Sequence, residues 1–230
     1  MKDIKNRVII PTIILALVTF ISGWILSKVN EVTKPEIKKQ DKQKEINALK
    51  MVLPGYTVDP IEDKKTVKIK TGSFTFWTGL KDKAKAYAFK ASMPGYSGDV
   101  KSMVGITEKG KIIGISILQQ TETPGLGARC QEIASSYSFF TYLFGDTSKI
   151  KEKTVPWFQK QFAGLHLTKK IKLLKKGDWN EKMKKALLEQ NAISSITGAT
   201  ITSKVVLDSI KIGYSKLKTV LKKVSEKKEK

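Results

Sequence analysis

The sequence predicts an α+β fold: an N-terminal transmembrane helix, a stalk helix, then a mostly antiparallel sheet domain with packed helices. Three observations carry this. Val8 to Ser27 is a run of twenty residues without a charge. Several short alternating segments, bounded by turn residues, lie between Thr66 and Leu118. From Ile201 onward the apolar residues return to helical spacing. Strands that succeed one another through tight turns, with helices added later, describe an antiparallel core and not a repeated βαβ unit.

At a rise of about 1.5 Å per residue, the helix over 8–27 spans about 30 Å, the thickness of bilayer hydrocarbon. A cleaved signal has a shorter apolar stretch ending in an Ala-x-Ala-like site. Ser22-Gly23-Trp24-Ile25-Leu26-Ser27 is a poor one, so an uncleaved anchor is expected. Pro11 falls in the first turn, where its missing N–H costs little. Lys2, Lys5 and Arg7 precede the span, whereas Lys28, Lys34, Lys38 and Lys39 follow it, so the charges leave its orientation open.

Glu31 to Leu53 is polar and helical, with an expected break at Pro35. Ile37, Ile46, Leu49, Val52 and Leu53 make a loose apolar stripe that Pro54-Gly55 stops. The expected organisation is a short segment 1–7, the span 8–27, a stalk 28–53, a domain 54–224 and a charged tail 225–230.

Strands are expected at Thr66–Lys70, Phe74–Trp77 and Ala86–Lys90. Val100–Ile106 and Lys111–Leu118 flank Thr107-Glu108-Lys109-Gly110, a hairpin turn in which Gly110 takes positive φ. Gln120-Thr121-Glu122-Thr123-Pro124-Gly125-Leu126-Gly127 then forms a stiff exposed loop directly after a strand, a place where ligands are held, although a plain turn explains Pro-Gly equally well. Lys169–Lys176 interleaves lysines with Ile171, Leu173 and Leu174, as a half-buried edge does. Asp178 with Glu181 resembles a capping box ahead of Met183, Ala186 and Leu187. Val206, Ile210, Leu217, Leu221 and Val224 mark a last helix that closes over the core.

The formal net charge is +22, but of 43 basic residues only Arg7 and Arg129 are arginine, and the lysines are spread along the chain. Phosphate and base recognition leans on arginine's rigid fork, so nucleic acid is not the expected partner. A solvated lysine surface, with secondary attraction to anionic lipid or acidic partners, fits better. Cys130 and His166 are the only residues of their kinds, which rules out an intramolecular disulfide and Cys- or His-paired metal sites. No catalytic or metal-binding residue is identified, and no Gly-x-Gly-x-x-Gly follows a strand. Any redox chemistry must come from a bound cofactor.

Ser194-Ser195-Ile196-Thr197-Gly198-Ala199-Thr200-Ile201-Thr202-Ser203 is the most specific stretch. Small hydroxyl residues leading into a helix place free amides and the positive dipole end where an anion can sit. The plain alternative is that Thr197 or Thr200 caps the helix.

Thr197-Gly198-Ala199-Thr200-Ile201-Thr202-Ser203 resembles the flavinylation signature of the covalent FMN-binding domain family, and Glu122-Thr123-Pro124-Gly125-Leu126-Gly127 resembles that family's other motif. With Thr33-x-Pro35, Val52-Leu53-Pro54, Gly95-Tyr96-Ser97-Gly98 and Trp157-Phe158 with Phe162, the order is that of the G subunits of Rnf electron-transport complexes. The C subunits of sodium-pumping NADH:quinone reductases are related. The likeness runs from the membrane span to about residue 215. One departure is Ser194-Ser195, where the family usually carries Asp-Ala.

The resemblance implies that FMN is esterified through its phosphate to Thr200, with Thr197, Gly198, Ala199, Thr202 and Ser203 about the phosphate. Glu122, Thr123, Gly125 and Leu126 would line the ring slot. It further implies an electron relay between membrane and iron–sulfur subunits of an ion-translocating ferredoxin:NAD oxidoreductase. A separate flavin transferase would use FAD and magnesium, and the single-pass protein would sit in the inner membrane with its FMN domain on the extracytoplasmic side. Two other readings stand beside it: an isolated membrane-anchored flavin carrier for another reductase, and a non-redox basic module for anionic polymer or lipid.

Overall fold

The computed structural model describes residues 5–69, 72–82, 84–133 and 155–226; Lys70 of the expected first strand and residues 227–230 of the expected tail lie outside them. An apolar run without a turn residue has nothing to stop a helix. After a π-helical turn at Lys5–Ile9, one helix, α1 (Ile10–Val52), runs through it. Thr12 Oγ1 donates to Val8 O at 2.7 Å and Thr19 Oγ1 to Leu15 O at 3.0 Å, so both threonine hydroxyls of the apolar run are satisfied inside the helix. This helix is long and apolar enough to cross a membrane.

The expected break at Pro35 is absent, because α1 continues through it. The segment is exposed, so water can take the carbonyl that Pro35 cannot pair. Ion pairs on either side, Lys28–Glu31 at 2.9 Å and Lys39–Glu36 at 3.4 Å, support the helix at helical spacing.

The chain divides into two compact units, Met1–Lys44 and Glu45–Lys230. The second is built on β1 (Lys64–Ile69), β2 (Gly72–Lys81), β3 (Ala84–Pro94), β4 (Asp99–Thr107) and β5 (Ile112–Gln119). They form a five-stranded antiparallel meander in chain order. All the expected strands are present.

Alternation along the strands gives the sheet two apolar faces. One presents Trp77, Ala86, Ala88 and Met103, and is covered by Ala48, Leu49 and Val52 of the last turns of α1, with Leu53. Glu45 fixes these turns through Lys90 at 2.5 Å and Lys64 at 3.3 Å. Burial alone would raise the Glu45 pKa, but Lys90 and then Lys64 hold it below the ordinary carboxylate range.

Gly105 lets α1 approach this closely, since a Cβ there would collide with the Val52 carbonyl. That neighbour is backbone and cannot rotate away. We therefore expect Gly105→Ala to cost about 1–3 kcal/mol of overpacking, read as a lower Tm in thermal unfolding. An unchanged Tm would contradict this packing.

The other face carries Phe74, Phe76, Phe89, Val104, Ile106 and Ile115. The last helix, α4 (Thr200–Glu226), covers it with Val206, Ile210, Leu217 and Val220. Between sheet and helix run α2 (Trp157–Lys160), β6 (Lys172–Leu174), α3 (Lys184–Glu189) and β7 (Ala192–Ser194). Strands β6 and β7 pair in parallel across α3, a small βαβ unit added to the meander. Each strand is only three residues long, too short to show a period in the sequence.

The expected capping box at Asp178 is not what forms. Asn180 is the cap, its side chain accepting from Lys182 N at 3.1 Å. Asp178 instead turns to an arginine and to the turn ahead of α4.

Candidate functional site

The antiparallel register brings two loops to the same edge. Pro94 faces Asp99 across the β3–β4 connection, and Lys101 faces Gln119 at the end of β5. The first loop is closed by Gly95 N donating to Gly98 O at 2.8 Å. In the second, Thr123-Pro124-Gly125-Leu126 folds as a turn with Leu126 N donating to Thr123 O at 3.2 Å, and Gly125 has a φ of 75°. Pro at the first central position and a left-handed Gly at the second are what a type II turn requires.

Glu122 joins these loops to α4. Its carboxylate is buried, with Oε1 accepting from Tyr96 N at 2.7 Å and from Ser97 N at 3.4 Å. Oε2 accepts from Thr202 Oγ1 at 2.8 Å. A buried charge is tolerated when donors surround it, and here they come from two separate parts of the chain. Gly127 leaves room for this knot, because a Cβ would stand 2.5 Å from both Glu122 Oε2 and Thr202 Oγ1.

The third part is the turn Ile196-Thr197-Gly198-Ala199, closed by Ala199 N donating to Ile196 O at 3.0 Å, with Gly198 at a φ of 76°. The first bond of α4 runs from Ser203 N to Ala199 O at 3.2 Å, which makes Ala199 the cap residue. Thr197 and Thr200 therefore do not cap the helix. Alanine has no side-chain acceptor and is weaker at this position than Ser or Thr by about 0.5–2 kcal/mol. The amides of Thr200, Ile201 and Thr202 are left without intrahelical acceptors at the positive end of a 27-residue helix.

Three of the six hydroxyls of this stretch are already committed. Ser194 Oγ donates to Gly177 O at 2.5 Å, Thr202 to Glu122, and Ser203 Oγ to Ala199 O at 3.1 Å while accepting from Ile196 N at 2.9 Å. Among the described residues, Thr200 Oγ1 has no such partner and is half-buried at the cavity wall. Gln161 braces the strand beneath, accepting from Ser194 N at 2.7 Å and donating to Ser194 O at 3.1 Å.

These segments enclose a cavity of about 430 Å³. Of the residues expected at the site, Glu122, Thr123 and Leu126 line one side and Gly198, Ala199, Thr200 and Thr202 the other. Thr197, Gly125 and Ser203 do not line it; they shape the turns or lie beneath them. Tyr96, Gly127 and Ile201 line it as well and were not among the expected residues. Tyr96 and Gly127 lie inside quoted motifs, and Ile201 directly follows Thr200.

Tyr96 is 72% exposed, Ile201 54% and Leu126 45%. Large apolar side chains this exposed on one cavity rim invite a flat apolar group to cover them. The free amides in the first turn of α4 suit an anion. Cys130, buried beneath, is not a nucleophile: desolvation, with the Glu122 charge adding to it, pushes its thiol up to about 12.

Beside the turn, Asp178 Oδ1 accepts from Thr197 N at 2.9 Å, and Asp178 Oδ2 receives Arg129 Nη2 at 2.8 Å. Arg129 carried no motif in the sequence, and Asp178 carried only the capping box that does not form.

Known proteins resemble the chain. The G subunit of a proton-translocating ferredoxin:NAD(+) oxidoreductase complex from Clostridium ljungdahlii is 26% identical over 219 residues, 95% of each chain. The G subunit of an ion-translocating oxidoreductase complex from Shewanella baltica is 31% identical over 132 residues, 54% of this chain and 62% of that relative. The crystal structure of the C subunit of a Na(+)-translocating NADH-quinone reductase from Parabacteroides distasonis aligns with 79% of this chain and 94% of its own at 19% identity, with a TM-score of 0.49. The profile of the FMN-binding domain matches residues 95–215, from the Gly95 turn through most of α4. That match takes in both loops, the turn and the helix that frame the cavity, and by it the chain belongs to the FMN-binding domain family.

Proposed function

We propose that the protein is a membrane-anchored electron-transfer subunit of an ion-translocating, Rnf-type ferredoxin:NAD oxidoreductase complex, carrying FMN esterified to Thr200. Residues 8–27 serve as the transmembrane anchor, 28–53 as a stalk and 54–224 as the FMN-binding domain, held on the extracytoplasmic side of the inner membrane. The observation that carries the covalent reading is Thr200 itself. Among the described residues it is the cavity-wall threonine whose hydroxyl is uncommitted, in the first turn of α4, beside amides that have no helical acceptor. End-to-end likeness to the G subunit of one such complex, anchor region included, supports the assignment.

The residues present fit FMN. The cavity volume lies within the ordinary range for a small ligand, about 300–1,000 Å³. The amides of Thr200, Ile201 and Thr202 suit a singly charged phosphodiester, and Tyr96, Leu126 and Ile201 offer apolar surface to a ring. Bound flavin supplies reversible electron transfer. The protein's part is to tether it, to exclude water with the two Glu122-linked loops, and to fix its position. Attachment uses FAD and magnesium on a separate transferase: the Thr200 Oγ–phosphorus bond forms, the pyrophosphate bond of FAD breaks, AMP leaves and the hydroxyl proton is released. Iron–sulfur and membrane subunits are the electron donor and acceptor.

Coexpression with the flavin transferase, followed by a denaturing gel under ultraviolet light, tests this reading. A fluorescent band at the mass of the chain is expected. A dark band, with a known acceptor labelled in the same cells, would overturn the covalent reading.

A further inference from the structure

We propose that Arg129 and Asp178 form an ion-paired brace that positions the attachment turn. Asp178 supplies the acceptor that holds the Thr197 amide, and Arg129 offsets its charge so that an incoming phosphate is repelled less at the α4 N-terminus. The inference rests on the reading of Thr200 as the attachment residue.

Three segments far apart in sequence converge here. Arg129 lies in the 3-10 turn Gly127–Gln131 that follows the second loop, Asp178 ahead of α3, and Thr197 in the turn before α4. Ser194 Oγ donates to Gly177 O at 2.5 Å and so pins the backbone next to Asp178. The carboxylate then spans from Thr197 N at 2.9 Å to Arg129 Nη2 at 2.8 Å. Arg129 is itself fixed, with Nε donating to Glu132 Oε2 at 2.9 Å and its guanidinium 5.5 Å from the centre of the Trp157 ring. Trp157 Nε1 donates to the same Glu132 oxygen at 3.0 Å.

Burial alone would raise the Asp178 pKa, but the Thr197 amide and Arg129 outweigh it and keep it low. The group is therefore a carboxylate at neutral pH. A carboxylate bonded to the turn that leads into the α4 N-terminus would by itself repel an anion arriving there. Its pairing with one of only two arginines in the chain lessens that repulsion while leaving the turn its acceptor.

The two roles separate in a mutant cycle. Initial rates of FMN attachment are measured on the full-length protein in detergent with purified transferase, FAD and magnesium. Arg129→Gln exposes the carboxylate and is expected to slow attachment about tenfold or more, the scale of one charge-assisted hydrogen bond. Adding Asp178→Asn to it removes the charge, keeps an oxygen for Thr197 N, and is expected to restore most of the rate. Glu132→Gln, which removes the charge of the other carboxylate paired with Arg129 and leaves Asp178 in place, is expected to attach at no less than the wild-type rate, and thermal unfolding of each variant reports its folding.

Arg129→Gln attaching as fast as wild type, or the double variant remaining as slow as Arg129→Gln with an unchanged Tm, would overturn the inference. Wild type that takes no label, or a Thr200→Val variant that takes it fully, would overturn the attachment reading and this inference with it. Labelled wild type with an unaffected Arg129→Gln removes the brace alone.

Discussion

Thr200→Val is expected to abolish covalent flavin while leaving the fold intact. Valine has nearly the shape of threonine, and among the described residues the Thr200 hydroxyl bonds to nothing, so the stability change should stay within about 0.5 kcal/mol. Flavin fluorescence on a denaturing gel should fall to background. Thr197→Val and Thr202→Val are the informative contrasts. Thr197 lies in the turn away from the cavity wall and Thr202 is tied to Glu122, so both variants should keep a covalent label. Thr202→Val should also be the less stable of the two, because it withdraws a donor from a buried carboxylate.

Glu122→Ala should have the second-largest effect. It strands the amides of Tyr96 and Ser97 and the hydroxyl of Thr202, and it opens a hole between both loops and α4. Losing a buried, charge-assisted set of this kind costs about 2–3 kcal/mol or more. Thermal unfolding should show it as a lower Tm, and attachment should fall with it because the cavity wall loosens. Glu122→Gln should be mild. Its oxygen can face Tyr96 N, and its NH2 can donate to the Thr202 hydroxyl, which rotates to accept. Glu122→Ala with wild-type Tm and labelling would show that the loops are held by something else.

These expectations rest on features that were legible to different degrees. The anchor was plain because twenty uncharged residues leave no other element of that length. The meander was legible because β1 to β5 alternate and their turns are short. Strands β6 and β7 were not, since three residues carry no period and their pairing depends on α3 bringing them together. Pro35 was misleading for a physical reason: a proline breaks a helix when its carbonyl partner is buried, and here the segment is solvated.

At the site, the two loops that line the cavity were readable as motifs, but what joins them was not. Glu122 reaches Thr202 across 80 residues of sequence, and Arg129 reaches Asp178 across 49. Asp178 next to Glu181 looked like a helix cap because local spacing is all a sequence offers. In the fold a guanidinium and the Thr197 amide compete for it and win. Ser194 likewise has a role visible only in three dimensions, where it fixes the backbone beside that carboxylate.

The most direct test of the central claim is the position of the flavin on the chain. Trypsin should release Ala186–Lys204, a peptide that holds every hydroxyl of the attachment stretch. Tandem mass spectrometry of this peptide, from protein made with its transferase, should find the mass of FMN less one water, with the increment first appearing in the N-terminal fragment series at Thr200. The increment on Thr197, Thr202 or a serine, or an unmodified peptide from cells whose transferase labels another acceptor, would contradict it.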